Sequence, residues 1–167
     1  MTTKVERNYL EIKSLDDLVE VKKPLDSLIL QKVDPPDFQL NEFFYKEIGK
    51  KHRWIDRLVW TDKNWIEYLN TAGISTYILK YKKDLVGYFE QIFHKSDFET
   101  EIAFFGILEE YMGKKLGSYL LSEAIKKSFE RGSKRVWVHT CSLDHKNALS
   151  NYLSRGMNIY KTEIAIL

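Results

Sequence analysis

The chain has one cysteine, three prolines and four histidines in 167 residues, and its charges nearly cancel at +2. One cysteine excludes an internal disulfide framework and suits a reducing compartment. Four scattered histidines beside one cysteine show no metal-ligand spacing, so no metal site is expected. The small net charge leaves no electrostatic case for nucleic acid or an acidic membrane surface. The basic clusters Lys22-Lys23, Lys50-Lys51-His52-Arg53 and Lys126-Lys127 read as solvated faces. No apolar run approaches the ~18 residues that cross a bilayer, and the N-terminus lacks the apolar core of a secretory signal. A cytoplasmic location is the expectation. Two phosphate-binding fingerprints are missing as well, the Walker Gly-Lys-Ser/Thr pattern and the dinucleotide G-x-G-x-x-G.

What is present is an ordinary globular composition, 44% hydrophobic and 30% charged, which fits one domain with a sizeable core. Aromatics reach 14%, enough for a dense core or an aromatic-lined pocket. Apolar spacing predicts strands at Tyr9–Ile12, Ser27–Val33, Ile74–Tyr81, Leu85–Phe93, Glu99–Leu108, Arg135–Cys141 and Met157–Leu167. It predicts helices over Phe38–Ile48, from Thr61 as N-cap through Leu69, over Leu116–Phe129, and from an N-cap at Asp144 to Arg155-Gly156. No repeat, low-complexity tract or linker divides them. Residues 1–167 read as a single domain, with 1–26 an N-terminal extension carrying an extra strand.

The most informative segment is Glu109-Glu-Tyr-Met-Gly-Lys-Lys-Leu-Gly-Ser118. It joins the apolar strand Ile102–Leu108 to a helix whose buried face is Leu116, Leu120, Leu121, Ala124, Ile125, Ser128 and Phe129. A small-residue turn at a helix start presents free backbone N–H groups and a favourable dipole to an anion. Gly113 and Gly117 allow close approach, and Lys114 and Lys115 add positive charge. The competing reading is a solvated first turn that happens to hold two glycines.

The order strand, phosphate turn, helix, strand, helix, strand resembles the GNAT superfamily of acyl-CoA-dependent N-acyltransferases. The family's Arg/Gln-x-x-Gly-x-Gly/Ala motif aligns with Met112-Gly-Lys-Lys-Leu-Gly117. Met112 replaces the Arg/Gln, and Lys115 replaces the first motif Gly. The family's Ala-Ile-x-x-Tyr-x-x-x-Gly-Phe signature aligns with Ala148-Leu-Ser-Asn-Tyr152-Leu-Ser-Arg-Gly156-Met157. The resemblance is strongest over 77–160. Phe44-Tyr45, Trp54, Asp56-Arg57-Leu58 and Trp60-Thr61 also resemble a small bacterial subgroup of unknown substrate. The implied fold is mixed α/β (α+β), a central twisted mixed sheet of about seven strands flanked by four helices. One departure stands out. Family chains usually carry two strands after the last helix, but only about eleven residues follow Gly156. The N-terminal strand is expected to substitute, within the chain or across a homodimer.

The resemblance implies acetyl-CoA or coenzyme A as cofactor, with its pyrophosphate on Met112, Gly113, Lys114, Lys115, Leu116, Gly117 and Ser118. The pantetheine arm would lie along Phe105, Gly106, Ile107 and Leu108, with His145 where many relatives place a contacting Asn. Gly106 reads equally as a close-approach or a packing glycine. The resemblance assigns protonation of the departing thiolate to Tyr152. The general base is sought first at Glu101, then His139, then Glu90. A Cys141/His139 nucleophilic pair is disfavoured, because i and i+2 on a strand do not set in-line geometry.

The acceptor side draws on Tyr45, His52, Trp54, Asp56, Arg57, Trp60 and Glu90. Arg57 would take a carboxylate and the aromatics an ammonium, as for a small zwitterion. The competing reading is core tryptophans and a surface Asp56-Arg57 pair. The expected activity is acetyl transfer from acetyl-CoA to a primary amine of a small molecule, directly in a ternary complex. Its rivals are a non-catalytic acyl-CoA-binding module and acylation of a protein or aminoacyl-tRNA amine.

Overall fold

A computed structural model describes residues 2–166. In chain order it contains β1 (Lys4–Ile12), β2 (Leu28–Lys32), α1 (Phe38–Gly49), α2 (Asp62–Leu69), β3 (Ile74–Tyr81) and β4 (Asp84–His94). There follow β5 (Glu99–Ile107), α3 (Leu116–Glu130), β6 (Arg135–Cys141), α4 (Ala148–Ser154) and β7 (Asn158–Ile166). Seven strands form one sheet in the order β2-β3-β4-β5-β6-β1-β7. Every neighbouring pair is antiparallel except β5 and β6.

Local chemistry sets the helix ends. Asp37 accepts the N–H of Gln39 at the start of α1, and Thr61 with Asn64 forms a reciprocal capping box on α2. The last turn before β7 closes on Gly156 at φ +103°, where any Cβ would collide with the Asp17 carbonyl. Asp144 is not the cap that the sequence suggested. It accepts from the Thr140 hydroxyl and from the Cys141 N–H, and α4 starts later, at Asn147, which makes no side-chain cap. A carboxylate next to a strand end has found the strand's own donors first.

Each face of the sheet has its own core. Leu116, Leu120, Leu121, Ala124 and Ile125 of α3, with Tyr152 of α4, pack on Leu10, Ile12, Phe89, Ile102, Val136 and Val138. On the opposite face Phe44 and Ile48 of α1 pack on Ile78, Tyr88 and Leu108, with Phe44 and Tyr88 stacked at 4.8 Å. Strand alternation then places Glu101, Trp137, His139, Tyr9 and Arg7 on the α1/α2 side, because their neighbours Ile102, Val136, Val138 and Leu10 point the other way.

The N-terminal strand pairs within the chain. β1 runs between β6 and β7, with Arg7 opposite Cys141 on one side and Glu163 on the other. It is longer than the Tyr9–Ile12 run that the sequence displays. Polar Arg7 and Asn8 break the apolar alternation, yet Asn8 is buried, and its Oδ1 accepts from the Thr162 hydroxyl at 2.7 Å. Leu10, fully buried at the centre of β1, makes the strand's contribution measurable. Leu10→Ala should lower stability by about 2–5 kcal/mol in denaturant titration. A loss below about 0.5 kcal/mol would mean that β1 is not a fixed part of the sheet.

Candidate active site

β5 and β6 stay paired for only three residue pairs, Glu99–Arg135, Thr100–Val136 and Glu101–Trp137. Below the parting point Arg135 ties the strands together, its Nε donating to Glu11 of β1 at 2.6 Å and a terminal nitrogen to Glu99 of β5 at 2.9 Å. Beyond it the strands separate, and a register break against β4 between Glu90 and Gln91 leaves Ala103 without a partner residue. The edge of β5 from Ile102 onward therefore faces a slot instead of a strand. An extended amide-bearing chain can add to such an edge as a further strand would. The bulge falls at Ala103. Gly106 is needed for a different reason, since a Cβ there would press on Ile48 of α1 at 2.7 Å. It is a packing glycine for the opposite face.

The slot ends at the loop before α3. Gly113 has φ +80° and Lys115 φ +63°, and no side chain caps the helix. Among the described residues, none of the backbone N–H groups of Gly113 through Ser118 donates to a protein acceptor. Six unpaired amides at the positive end of a four-turn helix fit a pyrophosphate well. Lys115 stands where the motif has glycine and still adopts the left-handed conformation that glycine favours, at a cost of about 1 kcal/mol. Met112, at the motif's Arg/Gln position, packs against the core beneath α3. At Gly117 a Cβ would have ordinary contacts only, at 3.8 Å to Ile107 and 4.0 Å to Asn151. Asn151 links the helices across this point, donating from Nδ2 to the Gly117 carbonyl at 3.3 Å.

Tyr152 projects from α4 beside β5, its ring 6.4 Å from that of Phe105. It is buried, and no other described residue hydrogen-bonds its hydroxyl. Burial first, and Asp144 second, push its pKa above the usual tyrosine value, so the hydroxyl keeps its proton. His145 accepts the Asn147 N–H on Nδ1, which leaves Nε2 as the protonated nitrogen of a neutral ring. Its pKa is lowered by burial and then by His52, whose ring lies 6.2 Å away. The segment after α1 bridges the slot mouth here, with His52 Nδ1 3.0 Å from the Leu143 carbonyl oxygen and Arg53 donating to Thr3 at 2.7 Å.

Glu101 and His139 lie on the α1/α2 face where the strands part. Glu101 keeps partial exposure, and its carboxylate lies 3.6 Å from His94 Nε2. His139 sits one pleat further along β6, with its ring 5.5 Å from Tyr9. Its edge reaches solvent, but the crowding protein lowers its pKa, and Arg7 lowers it further against the pull of Glu101. His139 is therefore neutral, and able to accept a proton, over most of the physiological range.

The structure corrects the sequence reading of Glu90 and Arg57. Both are buried, and they hold each other at 3.0 Å. Glu90 also accepts from Asn41 at 2.9 Å and Tyr68 at 2.8 Å, so its lone pairs are occupied and it has no opening to a substrate proton. The Arg57 guanidinium lies within 4.2–5.8 Å of the rings of Tyr45, Trp60, Trp65, Tyr68 and Phe104. Burial opposes its charge, but Glu90 outweighs that and raises its pKa. The aromatics expected to enclose a substrate ammonium enclose the protein's own cation. Tyr45 is core, its oxygen accepting the Arg57 N–H, and Asp56 is exposed to solvent. Trp54 and Trp60 are half-buried, and Trp54 packs edge-on to Phe104 beside the slot. Sequence reasoning missed Asn41 and Tyr68. A charged residue inside the mainly apolar stretch Val86–Gln91 of β4, all six of whose residues prove buried, was the signal that such partners had to exist. A cavity of ≈ 120 Å³ lined by Val33, Leu69, Ile74 and Thr76 lies apart from this site.

The model of the acetyltransferase (GNAT) family matches residues 38–157. The chain belongs to that family. No curated protein sequence gives a significant match. The fold resembles a GCN5-related N-acetyltransferase from Sphaerobacter thermophilus, with 13% identity and a TM-score of 0.74 over 97% of this chain and 50% of that one. It resembles a functionally unknown conserved protein from Staphylococcus epidermidis at 16% identity and a TM-score of 0.68, over 99% of this chain and 62% of that one. It also resembles an aminoglycoside acetyltransferase from an uncultured soil sample, at 13% identity and a TM-score of 0.65 over 78% of this chain and 88% of that one. The chain thus spans about half to three-fifths of the first two. The family match runs from α1 to the end of α4 and leaves β1, β2 and β7 outside it, whereas the first two of these solved structures align over 97–99% of the chain.

Among the described residues no helix is long and apolar enough to cross a membrane, and no cluster of potential metal ligands occurs. Gly117→Glu should fold, because its Cβ has room, and should abolish coenzyme A binding by setting a carboxylate against the phosphates. Calorimetry on the folded variant checks this, and unchanged affinity would remove the loop from the binding site.

Proposed function

We propose that the protein transfers an acetyl group from acetyl-CoA to the primary amine of a small molecule, within a ternary complex. The observation that carries this reading is the slot between β5 and β6, which ends at six unpaired amides and has Tyr152 on one face and His139 on the other. Acetyl-CoA supplies a thioester carbonyl as the electrophile and a thiol as the leaving group.

The amides of 113–118 hold the pyrophosphate, and the free edge of β5 holds the pantetheine arm in extended form. N–H groups at the bulge near Ala103 polarise the carbonyl oxygen. His139 takes the proton that the amine must lose, directly or through a water, with Glu101 beside it favouring the charged ring that results. This order reverses the one the sequence suggested, because the lowered pKa of His139 keeps its ring neutral and able to accept a proton, with Glu101 placed to stabilise the imidazolium that forms. A C–N bond forms, the C–S bond breaks, and Tyr152 donates a hydrogen bond to the sulfur as charge develops there. A hydroxyl with a raised pKa cannot transfer its proton outright to a thiolate whose conjugate acid titrates near ~8.5. Tyr152 thus acts mainly by stabilising the developing charge, and solvent completes the protonation.

The test is release of free thiol from acetyl-CoA with a panel of amines. Tyr152→Phe keeps the ring and should lower kcat and kcat/KM together by about 10–100-fold with acetyl-CoA affinity unchanged. Full activity would remove Tyr152 from the chemistry, and absence of thiol release with bound acetyl-CoA would favour a binding module.

The pH dependence separates the two bases. A depressed histidine pKa keeps the base neutral to lower pH, so kcat/KM should stay level above about pH 6.5 and fall below it. His139→Gln should abolish that limb. A limb that persists in His139→Gln and vanishes in Glu101→Gln would assign the base to Glu101.

A further inference from the structure

The face beyond His139 is built by β1, and one of its side chains leaves its hydrogen-bonding fork unused. Across the sheet the register aligns Cys141, Arg7 and Glu163 in one row and His139, Tyr9 and Lys161 in the next. The Arg7 side chain is about three-quarters buried, and its Nε is sealed from solvent with no hydrogen-bond partner. It forms an ion pair with Glu163, whose Oε1 lies 3.6 Å from a terminal nitrogen, beyond hydrogen-bonding distance. That carboxylate is already engaged, with the Tyr9 hydroxyl at 2.6 Å and Lys161 at 3.4 Å. Among the described residues the Arg7 side chain makes no hydrogen bond, although a guanidinium offers five donors in a fixed fork. A semi-buried, undersatisfied arginine calls for an explanation. Two cations, Arg7 and Lys161, flank the carboxylate of Glu163, so that one carboxylate is shared between them.

We propose that Arg7 binds an anionic group, a carboxylate or a phosphate, on the amine acceptor, and that β1 is the strand that selects the acceptor. This rests on the acetyl-transfer reading. The fork matches either group bidentately. Arg7 lies two residue steps along β1 from Tyr9, which pairs with His139, so the anion and the reacting amine lie on the order of 7 Å apart along the sheet. That spacing suits an amine and an acid joined by several bonds. The zwitterion role that the sequence gave to Arg57 passes to Arg7, because Arg57 is consumed by Glu90 and Arg7 is not.

The test measures thiol release from acetyl-CoA with amines matched in all but the anionic group. Amino acids of increasing chain length are compared with their carboxamides, and phosphoethanolamine is compared with ethanolamine. The anionic member of a pair should be preferred at least about tenfold in kcat/KM, through KM. Whether the carboxylate or the phosphate pair shows the preference identifies the group. Arg7→Gln should erase the preference by raising KM for the anionic member alone, and Arg7→Lys should restore part of it. Acetyl-CoA affinity should be unchanged in both variants. If no amine turns over, titrating the CoA-bound protein with the N-acetylated products, read by tryptophan fluorescence, tests the same preference. Equal use or binding of anionic and neutral members, or a preference that survives in Arg7→Gln, would overturn the assignment. Failure of acetyl-CoA to bind at all would instead sink the acetyl-transfer reading.

Discussion

The site depends on two parallel strands that pair over three residues and then part. β5 cannot follow β6 past Glu101–Trp137, because Ala103 is an extra residue against β4 and the bulge turns the strand's free edge outward. A buried sheet edge without a partner would normally be a liability. Here it is kept open from both ends. Arg135 clamps β5, β6 and β1 below the split, and the segment after α1 spans the mouth above it through His52 and Arg53.

The buried Arg57–Glu90 pair serves the same geometry from one face. Glu90 stands opposite Phe104, the first paired residue beyond the bulge, and the Arg57 guanidinium lies 4.2 Å from that ring. Asn41 and Tyr68 donate to Glu90 and aromatic rings surround Arg57, so the desolvation cost is met by hydrogen bonds and by aromatic faces. Removing either charge leaves the other stranded, which costs about 3–5 kcal/mol in comparable pairs. The pair is structural, and its effect on chemistry comes from where it holds β5.

Periodicity revealed most of the fold. The bounds of β3 and β6 are those their apolar runs define, and α2 starts at the Thr61 cap that its residues announce. The loop before α3 was legible because two glycines and two lysines sit between a strand and a helix. Other features were hidden for physical reasons. Lys115 departs from the family's glycine in identity but not in backbone conformation, which only coordinates reveal. Arg57 was read as a carboxylate ligand of the acceptor pocket, with a surface pair with Asp56 as the competing reading, since sequence does not say which way an arginine in a loop turns. Arg7 was invisible because polar residues interrupt the alternation of β1, and the strand's position between β6 and β7 is a property of tertiary topology.

The central claim is that the loop before α3 and the free edge of β5 together hold coenzyme A. Amide hydrogen exchange, with and without saturating coenzyme A, tests it most directly. Protection should appear at Gly113–Ser118 and along Ile102–Ile107, with little change on β2 and β3. Binding that leaves both segments unprotected, or that protects the cavity beside Val33 and Thr76 instead, would contradict the account.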